Sequence, residues 1–153
     1  MNPPMHKRVR NLLVDAGLTT GYTIQSLVWT DTGKLTDRFI VIRPNGGSNI
    51  DRDFGAEYYV MVDVSTGKNT GDYAKSETDV QAIIDYIQQN PLSDSCVGQI
   101  TNMGGIPSPV QTTGSSGLAI AVCLHLRGIT PTKPNRSPFG GLFLCSKEAK
   151  NGS

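Results

Sequence analysis

Residues 58–64 read Tyr-Tyr-Val-Met-Val-Asp-Val, and this density of aromatic and β-branched side chains predicts a strand. A second apolar run, Phe-Ile-Val-Ile at residues 39–42, stops at the turn residues 44–47. Because apolar side chains occupy every position of residues 39–42, we expect this strand to be central and covered on both faces. The two runs therefore predict the middle of a sheet.

Two amphipathic helices are expected to cover this sheet. Apolar residues recur at three- and four-residue steps between Met5 and Ala16, and again between Val80 and Ile87. Ser76 is expected to cap the start of the second helix. Each helix would thus present one apolar stripe to a core.

Further strands complete the predicted fold. Alternation at residues 22–29, 96–100 and 118–126 predicts three more strands, with a long loop over residues 102–117. The order helix, three strands, helix, two strands predicts an α+β fold. We expect an antiparallel or mixed sheet of about five strands with two helices packed on one face, followed by an extended C-terminal arm.

The composition of the chain excludes several classes of protein. The chain has 153 residues, of which 37% are hydrophobic and 18% charged, so one folded domain is expected and disorder throughout is not. The net charge of +1 gives no broad positive field, which argues against a dedicated nucleic-acid binder. No apolar run approaches a membrane span and no secretory signal begins the chain, so we expect a protein kept in a cytosol.

The last residues differ from the rest. Three prolines punctuate a basic segment after residue 127, and apolar residues follow it. We therefore expect residues 1–127 to form the folded domain and residues 128–153 to form an extended Pro-rich arm. The apolar end of the arm either packs on its own subunit or lies along a neighbouring copy as an added strand.

No constellation of known chemistry emerges, so no catalytic residue, cofactor site or metal site is expected. Cys123 stands two residues from His125 on a predicted strand, where parallel side chains are poorly aimed at each other. The acidic residues Asp51, Asp53 and Glu57 do not match the spacing of a calcium loop. We predict that the chain is not an enzyme, and a small metal-dependent enzyme using these carboxylates is the less favoured alternative.

The cysteines and the glycine-lysine pair give no site either. The three cysteines are odd in number and lack paired short spacing, which indicates neither a disulfide framework nor a zinc site. Lys68 follows a glycine, but the rest of a phosphate-binding loop is missing around it.

Charge is distributed unevenly along the chain. Residues 76–126 contain no Lys or Arg and four acidic residues, while basic residues gather near both ends. One interpretation is an ordinary solvated surface. The other is head-to-tail complementarity between copies of the chain, in which an acidic flank of one subunit meets the basic ends of the next.

Several phrases resemble those of a known family. They are Arg-Pro-Asn-Gly-Gly at 43–47, Asp-Arg-Asp at 51–53, the strand at 58–64, Asn-Pro-Leu at 90–92, and Val-Gly-Gln-Ile-Thr-Asn-Met-Gly-Gly-Ile-Pro at 97–107. With the helix at the start, they resemble the tail terminator proteins of long-tailed bacteriophages over about residues 5–127. The resemblance does not extend to the arm.

The resemblance implies a virion structural protein with no cofactor. Its copies would form a hexameric ring that caps the tail tube, stops tube polymerisation and provides the joint to head-completion or connector proteins. The implied partners are further copies of itself, the major tail tube protein and a head-completion or connector protein, with genomic DNA only as cargo passing through the lumen and no membrane. The implied location is the head-proximal end of the virion tail, after assembly in the host cytoplasm. Another tail tube or head-tail joining component is the alternative.

Candidate interface residues lie in the predicted loops and in the arm, because a sheet scaffold presents such segments to partners. For subunit or tube contacts we expect nine residues: Asp51, Arg52, Asp53, Lys68, Met103, Ile106, Arg136, Phe139 and Phe143.

Overall fold

The structure is a computed structural model, and it describes residues 3–48, 56–67, 73–92, 96–105, 107–114 and 117–129. In chain order, the elements are α1 (Met5–Asp15), β1 (Thr23–Ser26), β2 (Phe39–Gly47), β3 (Glu57–Ser65), α2 (Tyr73–Gln89), β4 (Gln99–Asn102), β5 (Val110–Gly114) and β6 (Gly117–Ile129). The predicted α+β class with two helices is confirmed. The predicted arm lies outside the described residues, apart from the end of β6.

The six described strands form one mixed sheet. Its order is β1-β2-β3-β6-β4, and β5 also pairs with β6. β1 runs parallel to β2, and the other pairs are antiparallel. The long strand β6 pairs with β5 near its start and with β4 near its end, so one edge of the sheet is shared by two short strands.

The core lies between the sheet and the two helices. Ile42, Val62 and Leu124 are opposite one another on β2, β3 and β6, and all three are fully buried. Val9 of α1 and Ile83 of α2 belong to the same buried cluster. Burying each such side chain contributes about 1.5–3 kcal/mol, so this layer is the main source of stability.

Strand β2 confirms the prediction of a strand covered on both faces. Residues 39–42 are all buried. The strand continues through Pro44 to Gly47, with a shift in register between these two residues. A side chain at Gly47 would collide with the backbone oxygen of Glu57, since Gly47 has φ of +155° and lies close against β3. This position requires glycine.

The predicted loop over residues 102–117 is wrong in part, because it contains strand β5. The sequence of β5, Val-Gln-Thr-Thr-Gly, lacks the apolar alternation that marks a half-buried strand. It becomes a strand by pairing with β6, from Val110 opposite Ala121 to Gly114 opposite Gly117. This hairpin gives the sheet six strands.

The predicted cap of the second helix is also wrong. α2 begins at Tyr73, so Ser76 lies inside the helix, where it is fully buried. The Tyr22 hydroxyl donates to Asp79 Oδ2 at 2.7 Å and lies 3.4 Å from Ser76 Oγ. Burial, the largest cause, raises the pKa of Tyr22 to about 12. These contacts fix the start of α2 against the entry to β1.

The spacing of the cysteines gave no indication of a disulfide, but the structure contains one. Cys96 is buried and disulfide-bonded. Cys123 on β6 is a free thiol.

Candidate functional site

The sheet has a second face, opposite the helices, which we call the open face, although Phe39 and Val41 at the start of β2 are buried on it. Period-two alternation places there the residues between the core positions. Arg43, Met61 and His125 form one row across β2, β3 and β6. All three are at least partly exposed. Helix-covered and open faces therefore differ in polarity along the same strands.

Ion pairs neutralise the charges of the open face. Arg43 Nη2 lies 3.0 Å from Asp63 Oδ2, and Arg127 Nη1 lies 3.8 Å from Glu57 Oε1. Arg127 Nε also donates to Thr101 Oγ1 at 3.2 Å. The two arginines and the two carboxylates balance, so these pairs leave no net charge on this part of the face.

Cys123 and His125 do not form an activated nucleophile. Cys123 Sγ lies 4.0 Å from His125 Nε2, and both side chains project from one strand. Burial, followed by the hydrogen bond to and charge of Asp63, raises the pKa of Cys123 to about 12. The thiol is therefore protonated near neutral pH, whereas a nucleophilic cysteine requires a lowered pKa.

The second histidine lies on a helix and not on the open face. His6 lies on α1, where burial and then Lys7 lower its pKa. Among the described residues, no group of three or more His, Cys, Asp or Glu side chains could hold a metal ion. Within the same residues, no helix is long and apolar enough to cross a membrane.

One edge of the sheet is formed by β1 and continues into an apolar segment. Leu27 and Val28, which follow β1 directly, are 53% and 71% exposed. The next residue, Trp29, turns inward and its ring contacts Phe39 edge-to-face at 5.9 Å between centroids. The amide of Gln25 donates to Thr30 O and accepts from Thr30 N, both at 2.8 Å, which fixes the turn. The exposed apolar side chains are thus held in place.

The opposite edge of the sheet is formed by β4 and β5. Val110, at the start of β5, is 61% exposed. Met103 follows β4 directly, is 44% exposed and donates its backbone N–H to His125 O at 2.8 Å. Both edges of the sheet therefore carry exposed apolar side chains.

Among the nine residues predicted for interfaces, Met103 lies within the described part of the chain. Its exposure leaves it available to a partner, and its role there stays a prediction. The other eight lie outside the described residues: Asp51, Arg52, Asp53, Lys68, Ile106, Arg136, Phe139 and Phe143.

Sequence reasoning missed the paired charges of the open face and the edge strand β5. The signal for the first was present, because Arg43 and Asp63 alternate with apolar neighbours on the two strongest predicted strands. Only the register could show that they meet, since Arg43 is opposite Met61 and therefore diagonal to Asp63. The signal for β5 was weak, as its residues are mostly polar.

Comparisons with known proteins give a match to a family model and matches to solved structures. The model described as phage tail termination protein matches residues 2–117, which include every element from α1 to β5. No curated protein matches the chain. Solved structures do match; one covers 82% of this chain and 98% of its own, with 14% identity and a TM-score of 0.41.

Proposed function

This chain belongs to the phage tail termination protein family and is a structural component of a phage tail; we propose that it forms a ring that caps the tail tube. The ring consists of six copies, stops polymerisation of the tube and provides the joint to head-completion or connector proteins. The family match over residues 2–117 carries this proposal. The protein acts through surfaces and performs no catalytic step.

Ring closure explains how such a protein can end a polymer. A head-to-tail contact between copies uses two different surfaces of each subunit, and it grows into a filament unless the rotation between copies closes. A closed ring leaves no lateral site unoccupied. Its remaining faces can then bind the tube on one side and exclude another tube subunit on the other.

The partners follow from this position. They are other copies of the chain, the major tail tube protein and a head-completion or connector protein at the head-proximal end of the tail. Assembly takes place in the host cytoplasm, and genomic DNA passes through the lumen as cargo. The paired charges of the open face, such as Arg43 with Asp63, support passage without capture if this face lines the lumen, because DNA binds through unpaired Lys and Arg.

The test is the mass of the pure protein and its effect on tube growth. We expect rings of one size by native mass spectrometry and electron microscopy. Adding these rings to polymerising tail tube protein is expected to stop elongation, whereas the same mass of an unrelated ring protein does not. Long tubes formed by the pure chain would identify a tube subunit. A monomer that leaves tube length unchanged would refute the proposal.

The contribution of the arm is tested separately with a chain that ends at Ile129. This variant keeps every described strand, so we expect a native circular dichroism spectrum and cooperative melting. We expect weaker assembly, because the removed residues include the apolar end of the arm. Normal assembly by the folded variant would show that the arm is dispensable.

A further inference from the structure

We propose that the β5 edge of one copy pairs with the β1 edge of the next copy, so that the sheet continues from subunit to subunit. The β5 edge is the outer side of Val110–Gly114, and the β1 edge is the outer side of Thr23–Ser26. The inference rests on the proposed ring for its partner, a second copy of this chain. It assigns the two surfaces that meet.

Both edges are open in the described part of the chain. β1 pairs there only with β2, and β5 pairs there only with β6. A strand at an edge presents unpaired N–H and C=O groups that can bind another strand. β5 and β1, with five and four residues, are similar in length and could form a short ladder along most of their residues.

Neither edge strand carries charge, which is one of the usual protections against such pairing. Monomeric proteins commonly place charged side chains, lysine above all, on or beside an exposed edge strand. Residues 95–126, which contain β4, β5 and most of β6, include no Asp, Glu, Lys or Arg. Residues 16–30, which contain β1, include none either. The two edge strands therefore carry no charged side chain of their own, and one charge near β1 is that of Lys75, which lies over the ring of Tyr22.

Four of the six exposed large apolar side chains among the described residues lie at the same two places. Val110 at the β5 edge is 61% exposed, and Val28 just beyond the β1 edge is 71% exposed. Met103 and Leu27 are exposed beside them. Pairing of the edges would remove these side chains from water. This burial would make the free energy of association more favourable than backbone hydrogen bonds alone, which contribute little.

The position of the edges in the sheet favours a second copy as the occupant. β1 and β5 lie at opposite sides of one sheet, so each copy offers both halves of the contact. Such a contact is head-to-tail and repeats, and a fixed rotation between copies closes it into a ring. Pairing of β5 with β5 would instead give a two-fold dimer and leave β1 open.

Lysine substitutions test the two edges. Val110→Lys and Val28→Lys place a charge at the β5 edge and beside the β1 edge. Ala82→Lys is the matched control, because Ala82 is exposed on α2, away from both edges of the sheet. We expect each edge variant to raise the protein concentration needed for half-assembly by about tenfold or more. The control is expected to assemble as the wild type, and all three are expected to melt as it does.

Cross-linking tests which edges meet, in proteins that also carry Cys123→Ser. Ser26→Cys and Gln111→Cys are made in separate chains, mixed, treated with a short bis-maleimide and analysed by peptide mass spectrometry. We expect links between position 26 of one chain and position 111 of the other. Links between two copies of Gln111→Cys would establish β5-to-β5 pairing, and assembled rings without links between positions 26 and 111 would show that these two edges do not meet. Either result would overturn the inference.

Failure of the inference is distinguishable from failure of the proposed function. If the wild type forms rings and stops tube growth while Val110→Lys assembles normally, the edge pairing is wrong and the terminator function stands. If the wild type forms no ring and leaves tube growth unchanged, both are wrong.

Discussion

The two faces of the sheet are formed by the same strands but differ in burial and in polarity. On the helix-covered face, Ile42, Val62 and Leu124 are fully buried against α1 and α2. On the open face, the neighbouring residues of these strands include the ion-paired Arg43 and Asp63. The difference shows that stability is concentrated in one layer, which leaves the open face and the sheet edges available for contacts with other chains.

Truncation of a buried side chain is expected to have the largest effect. Leu124→Ala on the helix-covered face should lower the free energy of unfolding by about 2–5 kcal/mol, because it removes buried methyl groups and leaves a cavity. Urea denaturation followed by circular dichroism measures this change. A loss below about 1 kcal/mol would mean that the helices do not enclose this position as tightly as a core requires.

The next largest effect is expected in the reactivity of the Cys123 thiol on the open face. Because burial and Asp63 raise the pKa of Cys123 to about 12, maleimide should label it far more slowly at pH 8 than it labels glutathione. A raised pKa means that the protonated thiol stabilises the fold. This contribution is complete below the ordinary thiol pKa of about 8.5 and is lost as the pH rises through about 12.

The labelling rate of Cys123 should therefore keep rising between pH 9 and 11, where that of glutathione levels off. A plateau for Cys123 near pH 9 would contradict the assigned environment. The variant Cys123→Ser should remove the label and identify the reacting thiol.

The Arg43–Asp63 pair should have a smaller effect on stability. A double-mutant cycle with Arg43→Ala and Asp63→Ala is expected to give a coupling free energy of about 0.5 kcal/mol, since the pair is partly solvated. Raising the salt concentration should reduce it. A coupling above about 2 kcal/mol would show that the pair is enclosed in the assembled protein and would move this face into an interface.

The smallest effect is expected at His125, the neighbour of Leu124. His125 is exposed on the open face, so His125→Ala should change the free energy of unfolding by less than about 0.5 kcal/mol. The same urea titration used for Leu124→Ala measures it. Equal losses for the two variants would remove the contrast between the faces.

Much of the fold could be predicted because the spacing of apolar residues along the chain indicates which side chains are buried. The central strands at residues 39–42 and 58–64 and the helices were predicted from apolar spacing. Ser76 was misread as a cap because a serine before an apolar stripe suits both a helix start and a buried position, and only the contact with Tyr22 distinguishes them. The register shift after Pro44 had no sequence signal beyond its glycines.

The candidate interfaces were harder to predict. Met103 was chosen from its loop, and the structure places it directly after β4, exposed beside an edge of the sheet. The strand β5 was missed because its polar residues carry no periodic signal. An edge strand can be identified only from the order of strands in the sheet. The sequence of β5 alone therefore could not show that it lies at an edge.

By itself, the amino-acid sequence determined which side chains share a face and where charge is absent, because alternation and composition are local properties. Tertiary structure decided that β5 and β1 lie at opposite edges of one sheet and that Arg43 meets Asp63. These outcomes depend on pairing between distant segments, where the entropy of closing each loop competes with the burial gained. That balance belongs to the folded chain as a whole.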